Sequence, residues 1–407
     1  MRVGHGVDHL RIVAGEAMGG YADRPHGLSG VLDPLEVHAV TFRDGQHRFA
    51  LIVADLVCVN SDVVERIRAG ARSLAIDSCW VAATHTHAGP EAGCNPGGAP
   101  TPPELSERLE SAAMRATSAA LADERDATLH ASRVRVPDLA SRRNLPELRA
   151  IDIPVDVLVV SSEGQVAGMI VISPVHPTVL PYDNHSASAD LSGGIRRALR
   201  TPTRWVVAGT GPAGDISTRH TRRGCDEHEI DRLAALVADR LRGGVRPADA
   251  PGSTTLIPPV PARVRLTAKQ PGEAVASDDG GLTGGRGLSV LEQGRRIARD
   301  LMARDHSTPY EIEVQALALG AVTLVAVPGE LFLELGEQIR AGAAAPGIDV
   351  VVLGYANGYL GYLPSRATPT SYETLVSPVA RGSGELVVAA AIDAAAQLMH
   401  RRRDDRI

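Results

Sequence analysis

Apolar runs of strand length alternate with amphipathic stretches of helix length along this chain, and that rhythm restricts the fold more tightly than any single motif. The strand-like runs are LEVHAVTF, RFALIVADLVCV, CWVAAT, VDVLVVS, VAGMIVISPV, RWVVAGT, IEVQALALG, AVTLVAVPG and DVVVLGYA. Among them lie DVVERIRAGARSL, PELSERLESAAMRATSAALA, EIDRLAALVADRLRG, GELFLELGEQIRAGAA and a closing GELVVAAAIDAAAQLMHRR, all with helical spacing. Strands mixed with such helices predict a layered α/β architecture. IEVQALALG and AVTLVAVPG are separated by almost nothing and read as an antiparallel hairpin. The sheets are therefore expected to be mixed parallel and antiparallel, with flanking helices. No repeat of roughly 20–50 residues and no clear linker interrupts the pattern, so residues 1–400 read as one catalytic unit. Residues 269–287, rich in Gly and Asp, read as a long surface loop, either a lid or a mobile insertion. Residues 401–407, RRRDDRI, read as a solvated tail.

Composition removes several function classes. A net charge of -6 with interspersed signs offers no basic stripe for nucleic acid. No stretch approaches the roughly 20 apolar residues that span a bilayer. The opening MRVGHGVDHLRIVAGEA lacks the apolar core of a signal peptide, so with residue 1 as the true start a cytoplasmic protein is expected. The four cysteines, Cys58, Cys79, Cys94 and Cys225, are scattered without a CxxC and are expected to be free thiols. Cys94 follows a histidine pair closely enough for a site role to stay open. Many Arg, Ala and Gly with little Lys point to a GC-rich bacterial genome.

Polar groups collect where the apolar runs stop. His85 and His87 close CWVAAT within THTHAGP, and His176 closes VAGMIVISPV within VHPT. Asp215 and Ser217 stand in the turn GDIS, Glu330 follows AVTLVAVPG, and Tyr359 and Tyr362 follow DVVVLGYANG. Asp55 interrupts RFALIVADLVCV. In α/β proteins, ligands gather at strand ends, and histidines with a glutamate suit Zn²⁺. In an extended THTH the two imidazoles share one face, about 7 Å apart at Cα. Each residue also has a plain structural reading: strand-end histidines bonded to backbone, Glu330 in the first turn of a helix, the tyrosines as packing. Spacing alone leaves both readings standing.

The pieces in order resemble the neutral/alkaline non-lysosomal ceramidase family, zinc-dependent amidases that hydrolyse the N-acyl bond of ceramide. The resemblance runs through GVDHL…MGGYAD, THTHAGP, SRRN, VHPT, SADLSGG, GPAGDIST, VPGEL and NGYLGY…SYE, almost the whole chain in collinear order. It implies a zinc site made of His85, His176, Glu330 and Tyr362. It implies His87 as the proton carrier facing the amide, with Arg142 and Tyr372 polarising or holding it. Asp215, Ser217, Tyr359 and Gly20 would line the substrate pocket. The implied reaction is attack of zinc-bound hydroxide on the amide carbonyl, with the amine leaving as His87 supplies a proton.

The chain also departs from the family. It is shorter than the usual ceramidase, and is expected to stop where the catalytic domain ends, without the family's β-rich C-terminal domain or a secretion signal. Thr218 stands where the family has Pro, and the spacing between Tyr362 and Tyr372 is contracted. These departures keep the metal centre and shift the expected substrate from ceramide to an N-acylated small molecule or lipid. A zinc-dependent acyltransferase, amide-forming or ester- or lactone-hydrolysing enzyme of specialised metabolism, and a non-catalytic binding protein on the same fold, are the alternatives; a homo-oligomer stays open.

Overall fold

A computed structural model describes the chain apart from residues 23, 96, 145–149, 202–203, 245–254, 271–284, 304–307 and 405–407. Three sheets carry the molecule. The first orders its strands Ser78–Ala83, Arg48–Ala54, Glu36–Arg43, Arg2–His9 and Arg125–Asp126. The second runs Trp205–Thr210, Gln165–Ser173, Ala150–Ser162, Thr128–Arg142 and Ile216–Ser217. The third runs Leu256–Leu266, Tyr310–Leu319, Val322–Ala326 and Asp349–Leu353. The expected mixed α/β class is what the chain adopts.

Each large sheet is antiparallel save for one parallel pair at an edge. The pairs are Arg48–Ala54 with Ser78–Ala83, Gln165–Ser173 with Trp205–Thr210, and Val322–Ala326 with Asp349–Leu353. These six strands are the near-continuous apolar runs of the sequence, and their C-terminal halves are buried throughout, as parallel strands covered on both faces require. Their C-terminal ends meet. Ala83 N donates to Tyr355 O (3.0 Å), Thr210 Oγ1 to Thr84 O (2.7 Å) and Gly354 N to Thr210 O (2.9 Å), stitching the three sheets together at one spot.

Where the sheets face one another, Val3, Phe42, Phe49, Trp80, Ile170 and Leu353 form an inner core, with Trp80 edge-on to Phe49 at 5.4 Å. Helices Ser61–Ser73, Pro103–Ala122, Asp190–Leu199 and Glu227–Gly244 cover the outer faces of the first two sheets, and Leu333–Gly342 and Ser383–Asp404 cover the third. Among the described residues no helix is long and apolar enough to cross a membrane.

Several elements escape the apolar pattern. The strand Arg2–His9 carries Gly4 and Gly6 because helix Pro103–Ala122 lies directly on its backbone. A Cβ at Gly4 would stand 2.0 Å from Ala120 O, and one at Gly6 would stand 2.1 Å from Ala116 O. The stretch expected as a loop at 269–287 falls mostly outside the described residues. Its start is fixed: Lys269, the only lysine of the sequence, donates from Nζ to Thr374 O (2.5 Å) and Leu375 O (2.9 Å). Its end is the first turn of helix Gly285–Met302. The basic run at 401–403 belongs to helix Ser383–Asp404, and Arg402 is buried, donating to Val322 O at 3.1 Å. The expectation of four free thiols also fails. Cys58 and Cys94 form a disulfide with Cα atoms 6.0 Å apart, while Cys79 and Cys225 stay free. Neither partner carries a spacing signal; the topology brings together the loop after Arg48–Ala54 and the loop after Ser78–Ala83.

Candidate metal centre and cavity

The ends of the three parallel pairs deliver the polar residues. His85 and His87 follow Ser78–Ala83, and His176 follows Gln165–Ser173. Glu330 and Tyr362 are opposed residues in a short parallel ladder, Glu330–Leu331 with Tyr362–Leu363, which aims both side chains the same way. Glu330 therefore precedes helix Leu333–Gly342 and is not part of its first turn.

The histidine pair converges for a different reason from the expected one. The strand ends at Ala83, and His85 takes a left-handed backbone with φ of 63°. That kink turns its ring to face His87 at 4.8 Å between centroids, with the two Nε2 atoms 3.3 Å apart. Tyr355, itself at φ 53°, stacks on His85 at 4.1 Å.

Hydrogen bonds fix the ring tautomers. His85 Nδ1 lies 2.7 Å from Val57 O and His176 Nδ1 lies 2.6 Å from Ala213 O. A carbonyl oxygen only accepts, so both Nδ1 atoms carry a proton, and in the neutral rings both Nε2 atoms present lone pairs. Those lone pairs face Glu330 Oε2 at 3.3 and 3.0 Å. Two lone pairs aimed at a carboxylate repel unless a positive charge lies between them. Burial and the neighbouring Arg143 charge push His176 down to about 3, so its second proton does not supply that charge near neutrality. Burial alone would raise Glu330; only positive charge at His85 and His176 outweighs it and holds the carboxyl well below its ordinary range.

The donor set fits a tetrahedral cation. Bonds of about 2.0–2.1 Å give a tetrahedron with edges of about 3.3 Å, close to the His–Glu separations. Backbone carbonyls orienting the far ring nitrogens are what metal-binding imidazoles ordinarily have. The ligand atoms of His85, His87 and His176 all lie within 4.8 Å of one another, so a group of histidines able to hold a metal ion is present. His87 differs from the other two. Its buried Nδ1 has no hydrogen-bond partner among the described residues, and burial, the largest cause, holds it well below the usual imidazole range. An unpartnered buried acceptor costs about 1–3 kcal/mol, which a ligand donor would recover.

Tyrosines and one arginine close the shell. Tyr359 donates to Glu330 Oε1 (2.6 Å). Tyr362 stacks on His176 (6.2 Å), and Tyr372 meets Tyr362 edge-on at 6.2 Å. Tyr372 opens the short helix Tyr372–Val376, held by a capping box from Ser371 to Thr374. Gly20, at φ 92°, presses on the His87 ring, where a Cβ would stand 2.4 Å from Cγ.

Three expected site residues sit elsewhere. Arg142 turns away and pairs with buried Asp215 at 2.5 Å; Asp215 in turn accepts from Leu333 N (2.8 Å). Ser217 is the backbone neighbour of His176, and its Oγ accepts from Arg219 N. None of the three lines the cavity at the histidines. The arginine that does is Arg143. Its Nη2 donates to Tyr362 Oη (2.8 Å), His176 Nε2 (3.1 Å) and Gly214 O (3.0 Å), while Nε pairs with Glu373 at 2.8 Å. SRRN offers two adjacent arginines, and strand alternation sends them to opposite sides; Arg142 is the last paired with Ile216.

The cavity has two lobes, of about 490 and 270 Å³. Both are lined by Gly20, Tyr21, Ala22, His87, Tyr362 and Tyr372. The larger adds Arg143, Arg219 and Arg222, and the smaller adds His85, Glu330, Tyr359 and several apolar side chains.

No protein-family profile matches the chain, and no curated protein sequence matches it. Solved structures do. A ceramidase complexed with C2 superposes with a TM-score of 0.79 over 98% of this chain and 75% of its own, at 19% identity. The neutral ceramidase from Pseudomonas aeruginosa gives 0.76 over 98% and 74%, also at 19%. The chain is ceramidase-like in fold along nearly its full length.

Proposed function

We propose that this chain is a zinc-dependent amidohydrolase that cleaves the N-acyl bond of a small molecule or lipid. The observation that carries the reading is the pair of Nε2 lone pairs, on His85 and His176, directed at Glu330 Oε2. His85, His176, Glu330 and Tyr362 would hold the ion, which supplies Lewis acidity and activates water near neutral pH.

The remaining chemistry belongs to the chain. His87, neutral at its buried position, takes a proton from water as the water oxygen bonds to the amide carbon. The C–N bond then breaks, and His87 returns the proton to the departing nitrogen, leaving acid and amine. Arg143, rather than Arg142, donates toward the carbonyl oxygen as charge builds on it, and Glu373 holds that guanidinium in place. Tyr372 stands beside Tyr362 for the same oxygen, and Tyr359 fixes Glu330 through Oε1. Asp215 and Ser217 act at one remove, through Arg142, Leu333 and the backbone at His176.

The test combines metal analysis with product analysis. Protein purified without added metal should contain about one zinc per chain and should release free acid from N-acyl amides of graded chain length, with or without a competing amine. Absence of any transition metal, or amide exchange without free acid, would refute it.

A further inference from the structure

We infer that the amine half of the substrate carries an oxyanion, a carboxylate or a phosphate, seated on Arg219 and Arg222; the inference rests on the amidase reading above. The larger lobe brings three guanidinium groups, Arg143, Arg219 and Arg222, to one wall. Only Arg143 is matched by a carboxylate, Glu373 at 2.8 Å. Arg222 donates from Nη1 to the carbonyls of Thr178 and Val179, the latter at 2.9 Å, which fixes its position without neutralising its charge. Neither Arg219 nor Arg222 has a carboxylate within ion-pair distance among the described residues. Elsewhere in this chain arginines are routinely paired, as Arg196, Arg133 and Arg48 are. Two unmatched guanidiniums opening on one cavity form an anion seat, since planar forked donors match carboxylate and phosphate oxygens.

The two lobes differ in character, and this orients the substrate. Val57, Ile297, Leu301 and Val376 line the smaller one together with the carboxylates Glu91, Asp300 and Glu330; its apolar side chains suit an acyl chain and its carboxylates repel an anion. The lobes join at His87, Tyr362 and Tyr372, where the amide would lie. An acyl chain in the smaller lobe places the amine half among the arginines. The sequence TRHTRR after GDIS supplies both cations, at the point where the chain departs from the family's proline.

The experiment uses the zinc-loaded full chain and two pairs of compounds. N-dodecanoylglycine is set against N-dodecanoylglycinamide, and N-dodecanoylphosphoethanolamine against N-dodecanoylethanolamine. Both kcat/KM and equilibrium binding to the His87→Ala protein are measured. At least one anionic member should exceed its neutral twin by about 10–100-fold in both readouts, the yield of one or two charge-assisted hydrogen bonds. Which pair shows the larger ratio tells carboxylate from phosphate. Arg219→Gln should collapse the ratio to within about threefold, and Arg219→Lys should restore part of it. Arg219 is exposed, so neither change threatens folding. Equal handling of both twins, or a ratio that survives in Arg219→Gln with Arg222→Gln, overturns the inference. Anion-selective binding with no cleavage of any compound would instead sink the amidase reading and uphold the seat.

Discussion

Asp55 and Glu330 both follow the C-terminal end of a strand in a parallel pair, and both are shut away from solvent, at 0% and 2% exposure. Their surroundings are opposite. Arg196 grips both oxygens of Asp55 at 2.9 and 2.6 Å, Glu36 N donates to Oδ2 at 2.7 Å, and Arg196 Nε reaches Glu36 at 3.0 Å. The chain of contacts continues through His38, whose Nε2 lies 2.9 Å from Glu36, to His5, 3.1 Å from His38 Nδ1. Every charge there has its complement within the protein. Around Glu330 no arginine or lysine pairs with the carboxylate among the described residues: Tyr359 donates to Oε1, the two imidazoles face Oε2, and His87 Nδ1 has no partner there. A closed network of this kind holds loops together, and an open one awaits a ligand.

The contrast can be broken experimentally. The largest effect is expected from His176→Ala, which should remove metal and activity together while the protein stays folded. Metal analysis beside circular dichroism checks it, and full zinc occupancy in the variant would contradict the ligand set. His87→Ala comes next: metal retained, rate lowered by about 10²–10⁴-fold, as for loss of a general acid–base group. If that variant loses the metal, the two histidines of THTH have exchanged roles. Asp55→Ala should show the reverse signature, a stability loss of up to about 3–5 kcal/mol in denaturant titration, because buried Arg196 loses its two-pronged partner and keeps only Glu36. Its folded fraction should keep the zinc stoichiometry; an inactive but fully stable Asp55→Ala would erase the distinction between the two clusters.

The smallest effect concerns acid. Burial, followed by the charges of His38 and Arg200, pushes His5 down to about 3 from an ordinary 6.5. The unfolded chain therefore takes up this proton first. The stability the neutral ring contributes is complete above pH 6.5 and lost as pH falls from there toward 3. His5→Asn should flatten that acid limb by up to about 1.4 kcal/mol per pH unit, read from denaturant midpoints across the window. An unchanged slope would remove His5 from the closed network's account.

What could be read in advance follows from the same physics. Strands such as Trp205–Thr210 and Val322–Ala326 are buried on both faces, so they announce themselves as apolar runs. Thr128–Arg142 and Leu256–Leu266, with mixed burial and interior charge or proline, do not. Helix Asp190–Leu199 was hidden by SGG, yet Gly194 is where it meets helix Glu227–Gly244: a Cβ there would stand 2.6 Å from Ile230 Cγ2. At the centre, residue types placed polar groups at strand ends, and the resemblance of the ordered motifs to the ceramidases nominated His85, His87, His176, Glu330 and Tyr362. Local direction was not legible. No pattern says that His85 kinks left-handed, that Arg143 rather than its neighbour enters the cavity, or that Tyr355 lies under the ring; the only hint of Tyr355 is its place in DVVVLGYANG.

The Cys58–Cys94 bond encloses a span of 36 residues that contains both imidazoles of the THTH pair and the helix Ser61–Ser73. Cleaving it would free chain entropy worth about 4 kcal/mol to the denatured state, released in the segment that presents those rings. Samples handled with and without a thiol reductant are thus distinct chemical species at that segment, and metal content or turnover measured on one does not transfer to the other.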